Sequence, residues 1–425
     1  MKLAVFTSKY PARVATFFER DMRSLLEAGV EIDVFPIYPL DRRMWRYAQP
    51  LLDAAVLPRE RVHHLDFTRS LGRLVAPVPR RGLGRFLRDA GAVSAAALRY
   101  GPVSLAKTAY VLPKAWAAAA RYADRYDHVL GYWGNYAGTC AYLFHRLQRR
   151  RVPFSLWVHA GTDLYFRPAY LRQKLEYADN IITCCDFNRS FMLERYRNVA
   201  QRLAPKIHVC YHGLDLPVFP FRPDGRPPAT VIAVGRLARD KGFAYLLRAV
   251  AVLARRGVPV ALEIVGDGEE RRALERLTRR LGLGDRVTFR GWVRFDEARD
   301  RMARATVLVH PSDRLGDGLP NVLREAMALG TPVIASRVAG IPEALDGECG
   351  VLVPPRDVDA HADAIAALLG DAAQRRALAE RARRRTEQQF DMVRTGARLA
   401  ELLRRPAPGV PPSVKAAPVL AAHPG

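Results

Sequence analysis

Two carboxylates, Asp317 and Glu325, stand eight residues apart in the run Gly316-Asp317-Gly318-Leu319-Pro320-Asn321-Val322-Leu323-Arg324-Glu325-Ala326-Met327. Pro320 suits a first helical position, where its missing N–H is no loss. Val322, Leu323, Ala326 and Met327 then recur at helical spacing, which predicts an apolar helix face. Asp317 therefore belongs to a loop, and Glu325 lies roughly 7 Å along a helix from its start. Between them the amides of Gly318 and Leu319 open that helix, a natural seat for an anion. Carboxylate, anion seat and carboxylate in that order suit a ligand with hydroxyls, a diphosphate and more hydroxyls, as in a sugar nucleotide.

A second constellation lies upstream. Thr230-Val231-Ile232-Ala233-Val234 reads as a buried strand. Gly235-Arg236-Leu237-Ala238-Arg239-Asp240-Lys241-Gly242 follows, and an amphipathic helix runs from about Phe243 to Arg255. Such a turn places Arg236 and Lys241 at the carboxyl edge of a parallel sheet, where ligands bind. Two fixed cations there can hold a diphosphate and stabilise it as it leaves. Together the two motifs resemble the retaining, sugar-nucleotide-dependent glycosyltransferases of the GT-B fold, in the family numbered four. The resemblance implies that Arg236 and Lys241 bind the donor diphosphate, Glu325 the ribose and Asp317 the transferred sugar. The first carboxylate of that pair is usually Glu, so Asp317 departs from the pattern with a shorter arm. The family places a His after a first-domain strand near the reaction centre, and here His159 in Trp157-Val158-His159-Ala160-Gly161-Thr162-Asp163 takes that place.

Other candidates are less sharply defined. Asn321 either orients the diphosphate or is an ordinary first-turn polar residue. Gly266, in Val265-Gly266-Asp267-Gly268, either lines the donor site or closes a tight strand-to-helix turn. Asp163 is a candidate for acceptor contact, as are Thr16 and Asn135. Thr16-Phe17 and Tyr132-Trp133-Gly134-Asn135-Tyr136 resemble segments of the subgroup acting in exopolysaccharide and colanic-acid-type assembly. The segment from Phe67 to Arg88 holds Arg69, Arg73, Arg80, Arg81, Arg85 and Arg88 without an acid. It reads either as a patch for an anionic membrane surface or as a solvated loop and helix.

The chain has 425 residues, with 49% hydrophobic and 26% charged, ordinary values for globular domains. Its net charge of +24 favours anionic partners. The Arg residues are dispersed, however, and no nucleic-acid-binding motif accompanies them, so no nucleic-acid partner is expected. Cys140, Cys184, Cys185, Cys210 and Cys349 fall in no metal or redox spacing and read as reduced cytosolic thiols. The start lacks a signal-peptide core, and no apolar stretch is long enough to cross a bilayer. A cytoplasmic protein, peripheral at most on the membrane's inner face, is expected.

Strand and helix signals alternate almost throughout, which predicts an α/β protein with parallel sheets. A proline-rich boundary near residue 218 divides it. The expected organisation is two doubly wound Rossmann-like domains of the GT-B type facing across a cleft: residues 1–218 for the acceptor and 219–385 for the nucleotide-sugar. The resemblance further implies a helix over 386–405 crossing back to the first domain, and 406–425 reads as a disordered tail. The expected activity is a retaining glycosyl transfer from a nucleotide-sugar to a glycan or lipid-linked acceptor in cell-surface polysaccharide assembly. It needs no metal or other cofactor, since Arg236 and Lys241 neutralise the leaving diphosphate. Asp357-Val358-Asp359 has a metal-pair spacing but opens a helix instead. A sugar-nucleotide epimerase on the same fold is one alternative, and a basic nucleic-acid-binding protein is the alternative from a different class.

Overall fold

The sequence alternation produces two six-stranded sheets, every neighbouring pair parallel. The computed structural model describes residues 1–11, 16–39, 56–72, 80–166, 170–316 and 318–405. The first sheet contains β1 Lys2–Thr7, β2 Glu31–Pro36, β3 His128–Gly131, β4 Phe154–Val158, β5 Asn180–Thr183 and β6 Ile207–Val209, in the order β2-β1-β3-β4-β5-β6. The second contains β7 Thr230–Val234, β8 Ala261–Val265, β9 Val287–Gly291, β10 Val307–His310, β11 Val333–Ser336 and β12 Val351–Val353, in the order β12-β11-β10-β7-β8-β9. In each sheet the chain winds outward one way from its first strand and then reverses. The reversal leaves a switch point between β1 and β3, and another between β7 and β10, the positions where open α/β sheets bind ligands.

Successive strand residues point to opposite faces, and both faces are covered. In β1, Ala4 and Phe6 join the core with Phe35, Trp116 and Phe144. Leu3 and Val5 join the opposite core with Phe18, Met22, Leu399 and Leu403. Residues from the end of the described chain thus close a face of the first sheet. The helix Met392–Arg404 packs on the helix Thr16–Glu27, so closely that a Cβ at Gly396 would lie 2.3 Å from that of Ser24.

The expected single helix over 386–405 is instead two. Ala372–Gln389 ends, and Met392–Arg404 starts under a cap from Asp391, whose carboxylate accepts from the Arg394 amide at 3.0 Å. Phe390 fills the break and is fully buried. Here the two lobe-to-lobe crossings touch, because Leu214 N donates to Phe390 O at 2.7 Å and Met392 N to Leu214 O at 2.9 Å.

Pro320 precedes its helix as the N-cap residue, with ψ 130°, and the helix runs Asn321–Leu329. The basic segment is partly core: Phe67 stacks on Tyr110 with ring centroids 4.9 Å apart, and Phe86 is buried against Trp116. Residues 73–79 of that segment lie outside the described residues, as do Asp317 and the tail 406–425. No helix among the described residues is long and apolar enough to cross a membrane.

Candidate active site

The two motifs meet at the switch point of the second sheet. The turn after β7 carries Arg236 and Lys241, and the loop after β10 runs from Pro311 to Gly318. The loops are in van der Waals contact. A Cβ at Gly242, which has φ +68°, would fall 1.9 Å from Pro311 O, and the Asp313 amide donates to Asp240 O at 3.1 Å. Arg236 is largely exposed, with ion-pair contacts of 3.9 Å to both Asp240 and Glu269. Lys241 is more enclosed, 4.0 Å from Asp240 Oδ2. The long contacts of Arg236 leave it largely in solvent.

Gly266 is required by packing. Its φ is +138°, and a Cβ there would lie 1.9 Å from Gly235 O, while one at Gly268 would lie 2.4 Å from Leu237 O. The turn after β8 is thus wedged onto the cation-bearing turn after β7.

The loop ending at Gly318 faces the first domain. A Cβ at Gly318 would sit 3.1 Å from Cys184 Sγ and 3.3 Å from Ala160 Cβ. Leu319 is buried as well. Gly161, in the loop after β4, comes equally close to Gly316. The loop bearing His159 and the loop opening the Asn321–Leu329 helix therefore touch each other where the two lobes meet.

His159 is 6% exposed. Its ring lies 4.3 Å from that of Trp133 and 5.1 Å from that of His212, stacked at 5° to the latter. Nδ1 stands 3.6 Å from Asp163 Oδ2, beyond hydrogen-bond range, and neither ring nitrogen has a hydrogen-bond partner. Asp163 itself is 1% exposed, and its Oδ1 has no hydrogen-bond partner. Its Oδ2 accepts from the Gly134 amide at 2.8 Å and the His159 amide at 3.3 Å, fastening the loops after β3 and β4 to each other. Lys174 supports the loop after β3. It is fully buried and donates to Gly134 O, Asn135 O and Thr139 Oγ1 at 2.6–3.1 Å. Asn135 caps the helix Tyr136–Arg146, accepting from the Ala137 amide at 3.3 Å. Thr16 opens the first helix.

Behind the cleft the lobes are joined by charge. Glu325 is 8% exposed and accepts from Arg20 of the first helix at 3.2 Å. Asp21 accepts from His212 Nδ1 at 2.7 Å and from the Tyr132 hydroxyl. Arg324, fully buried, donates to His212 O and to Asn321 Oδ1. The Asn321 carbonyl oxygen is thereby held by Arg324. Burial holds His212 down at about 4 and lowers Arg324 to about 10. The Cys184 thiol is pulled down first by a hydrogen bond from Cys185, with His159 and Arg324 adding positive potential. Arg20, Asp21, His212 and Arg324 were not singled out as site residues. Arg324 alone left a local trace, as a cation among apolar neighbours on its helix. All five cysteines are buried and unpaired. Asp357 caps the helix Val358–Gly370, and no metal-binding cluster occurs among the described residues.

Residues 228–371 match the model of the family described as glycosyl transferases, group 1. The chain is 37% identical over 179 residues to a GDP-mannose-dependent alpha-(1-6)-phosphatidylinositol monomannoside mannosyltransferase of Mycolicibacterium smegmatis, covering 41% of this chain and 47% of that protein. It is 33% identical over 207 residues to the putative colanic acid biosynthesis glycosyltransferase WcaL of Escherichia coli, covering 47% and 51%. The chain thus spans about half the length of the curated relatives it matches. Sucrose-phosphate synthase from Thermosynechococcus elongatus shares the fold over 95% of this chain and 98% of that one, with TM-score 0.72 and 23% identity. HepE of Anabaena in complex with UDP-glucose does so over 95% and 99%, with TM-score 0.66 and 19% identity. Residues 228–371 are therefore similar to a group 1 glycosyl transferase domain, and the two lobes together have the GT-B fold.

Proposed function

We propose that the chain is a retaining glycosyltransferase that moves a sugar from a nucleotide-activated donor to a glycan or lipid-linked acceptor in cell-surface polysaccharide assembly. One observation carries this reading: the cation-bearing turn after β7 and the loop after β10 meet at a sheet switch point, directly opposite the loop that carries His159. Arg236 and Lys241 would receive the donor diphosphate, together with the Gly318 and Leu319 amides. Glu325 would take the ribose hydroxyls and Asp317 the transferred sugar. A diphosphate leaving between two fixed cations has its developing charge neutralised where it forms, so the reading requires no metal ion. His159, walled by aromatic rings and holding two unsatisfied ring nitrogens, would meet the sugar's hydroxyls beside the reacting carbon.

The acceptor would enter over the first sheet. Asp163 and Lys174 act indirectly there, holding the loops that would receive it. The relatives' names supply the context: one acts on a phosphatidylinositol mannoside, another is assigned to colanic acid biosynthesis. An epimerase on this fold would convert donor without acceptor, and none of the proteins compared above is named as one. The protein would work at the cytoplasmic side of the membrane, where such donors are made. Incubation with a panel of nucleotide-sugars, with and without a lipid-linked or free glycan acceptor and in the presence of chelator, tests the reading. Acceptor-dependent release of nucleoside diphosphate supports it; release that ignores acceptor, or none with any donor, defeats it.

A further inference from the structure

A second cavity, of 540 Å³, lies over the carboxyl edge of the first sheet. Its walls come from four consecutive strand-end loops and the helix pair that follows β2. Lys9 follows β1, Tyr38 follows β2, Asn135 and Tyr136 follow β3, and Thr162 and Phe166 follow β4. The volume is that of a site for a sizeable ligand. It straddles the switch point between β1 and β3, so its place in the first lobe corresponds to that of the cation site in the second.

The lining is divided by chemistry. Val93, Val103 and Phe166, with the rings of Tyr38, Tyr100 and Tyr136, make most of it apolar. The apolar character continues onto the outer surface, where Val103 is 66% exposed, Leu98 61% and Phe166 46%. Such residues left in water beside a pocket mark a surface that is covered in use. Lys9 and Lys107 are the charged groups among the described lining residues, and no carboxylate faces them. Lys107 Nζ stands 5.8 Å from the Tyr136 ring centroid, so the cation is held at the polar end of an aromatic wall. Thr162 adjoins Gly161, which packs against Gly316 of the opposite lobe, so the Thr162 side of the cavity lies next to the contact between the lobes.

We infer that this cavity receives the acceptor's carrier, a long-chain lipid phosphate or diphosphate, with the chain against Val103, Phe166 and the tyrosines and the phosphate between Lys9 and Lys107. A sugar attached to that phosphate would extend past Thr162 toward His159. The inference rests on the glycosyl-transfer reading and narrows its acceptor to an anionic lipid. A free glycan would match neither the apolar lining nor the exposed rim, and a soluble sugar phosphate would match only the lysines.

Calorimetric titration of the full chain with dodecyl phosphate, held below its micelle concentration, tests this directly. Dodecyl glucoside supplies the same chain without charge, and glycerol phosphate supplies the charge without the chain. Saturable binding is expected for dodecyl phosphate, at least about tenfold tighter than for either control. Lys107→Glu and Val103→Asp, both at exposed positions, should each weaken it by about tenfold while nucleoside diphosphate binding stays unchanged. Equal binding of dodecyl glucoside, equal binding of glycerol phosphate, or indifference to both substitutions would overturn the inference. Failure of nucleoside diphosphates to bind any of these proteins would instead defeat the glycosyl-transfer reading, leaving the lipid-phosphate result to stand or fall separately.

Discussion

The ion pair between Arg20 and Glu325 joins residues 305 positions apart and links the first helix of one lobe to the carboxylate helix of the other. At 3.2 Å, with both side chains about one-tenth exposed, the gross attraction is about 5 kcal/mol at an effective dielectric of 20. Desolvation offsets much of it, but removing one partner strands a buried charge at a cost of roughly 3–5 kcal/mol. Arg20→Ala should therefore lower the melting temperature by about 6–20 °C, at roughly 2–4 °C per kcal/mol for a lobe of this size. Glu325→Gln removes the charge from the other side. In the double variant the loss should fall well short of the sum, giving a coupling of about 2–4 kcal/mol in the cycle. Thermal unfolding of all four proteins, followed by tryptophan fluorescence, supplies the numbers. A coupling under about 0.5 kcal/mol, the value for an exposed pair, would show that the lobes are not joined through this contact. The same pair bears on ligand binding. If Glu325 accepts ribose hydroxyls, Arg20→Ala leaves nucleotide affinity unchanged or improved, since the carboxylate loses a competitor.

Other consequences follow from packing and protonation. Gly266→Ala sets a methyl into Gly235 O at a positive φ and should lower the melting temperature of the second lobe by about 10 °C or more; a melt within 2–3 °C of the parent would refute the wedge between the two turns. Burial holds His128 and His212 at about 4, below their ordinary 6.5. Between those values the unfolded chain binds protons that the folded chain refuses. Their contribution is thus complete above pH 6.5 and lost as pH falls toward 4, each at no more than about 1.4 kcal/mol per pH unit. Urea midpoints measured from pH 7 to 4 should fall across that window, and a flat profile would contradict the buried neutral imidazoles.

Much of this architecture was legible in the sequence because it is written locally. The strand read at Thr230–Val234 forms over those residues, since buried parallel strands are near-continuous apolar runs. The helix after the cation turn, Phe243–Arg255, was legible from its apolar periodicity, and the pairing of that turn with the loop before Asn321 was implied by the resemblance that the two motifs carry. What escaped depends on contacts between distant segments. Nothing near Asp21 announces His212, 191 residues away, and nothing near Arg20 announces Glu325. Asp163 sits at a loop position that suits an exposed ligand contact, yet it is buried by the need of two loop amides for an acceptor. Pro320 fits either a cap or a first helical position, and only the backbone decides. The break at Phe390 was hidden because helical pattern continues on both sides of it.

The central claim is that Arg236 and Lys241 hold the donor's diphosphate. Calorimetric titration of a nucleoside diphosphate into the parent protein and Lys241→Ala, both in excess chelator, tests it most directly. The account predicts saturable binding to the parent without metal, and a loss of affinity of about tenfold or more in Lys241→Ala at an unchanged melting temperature. Equal affinity in the two proteins, or binding to the parent that vanishes with chelator, would contradict it.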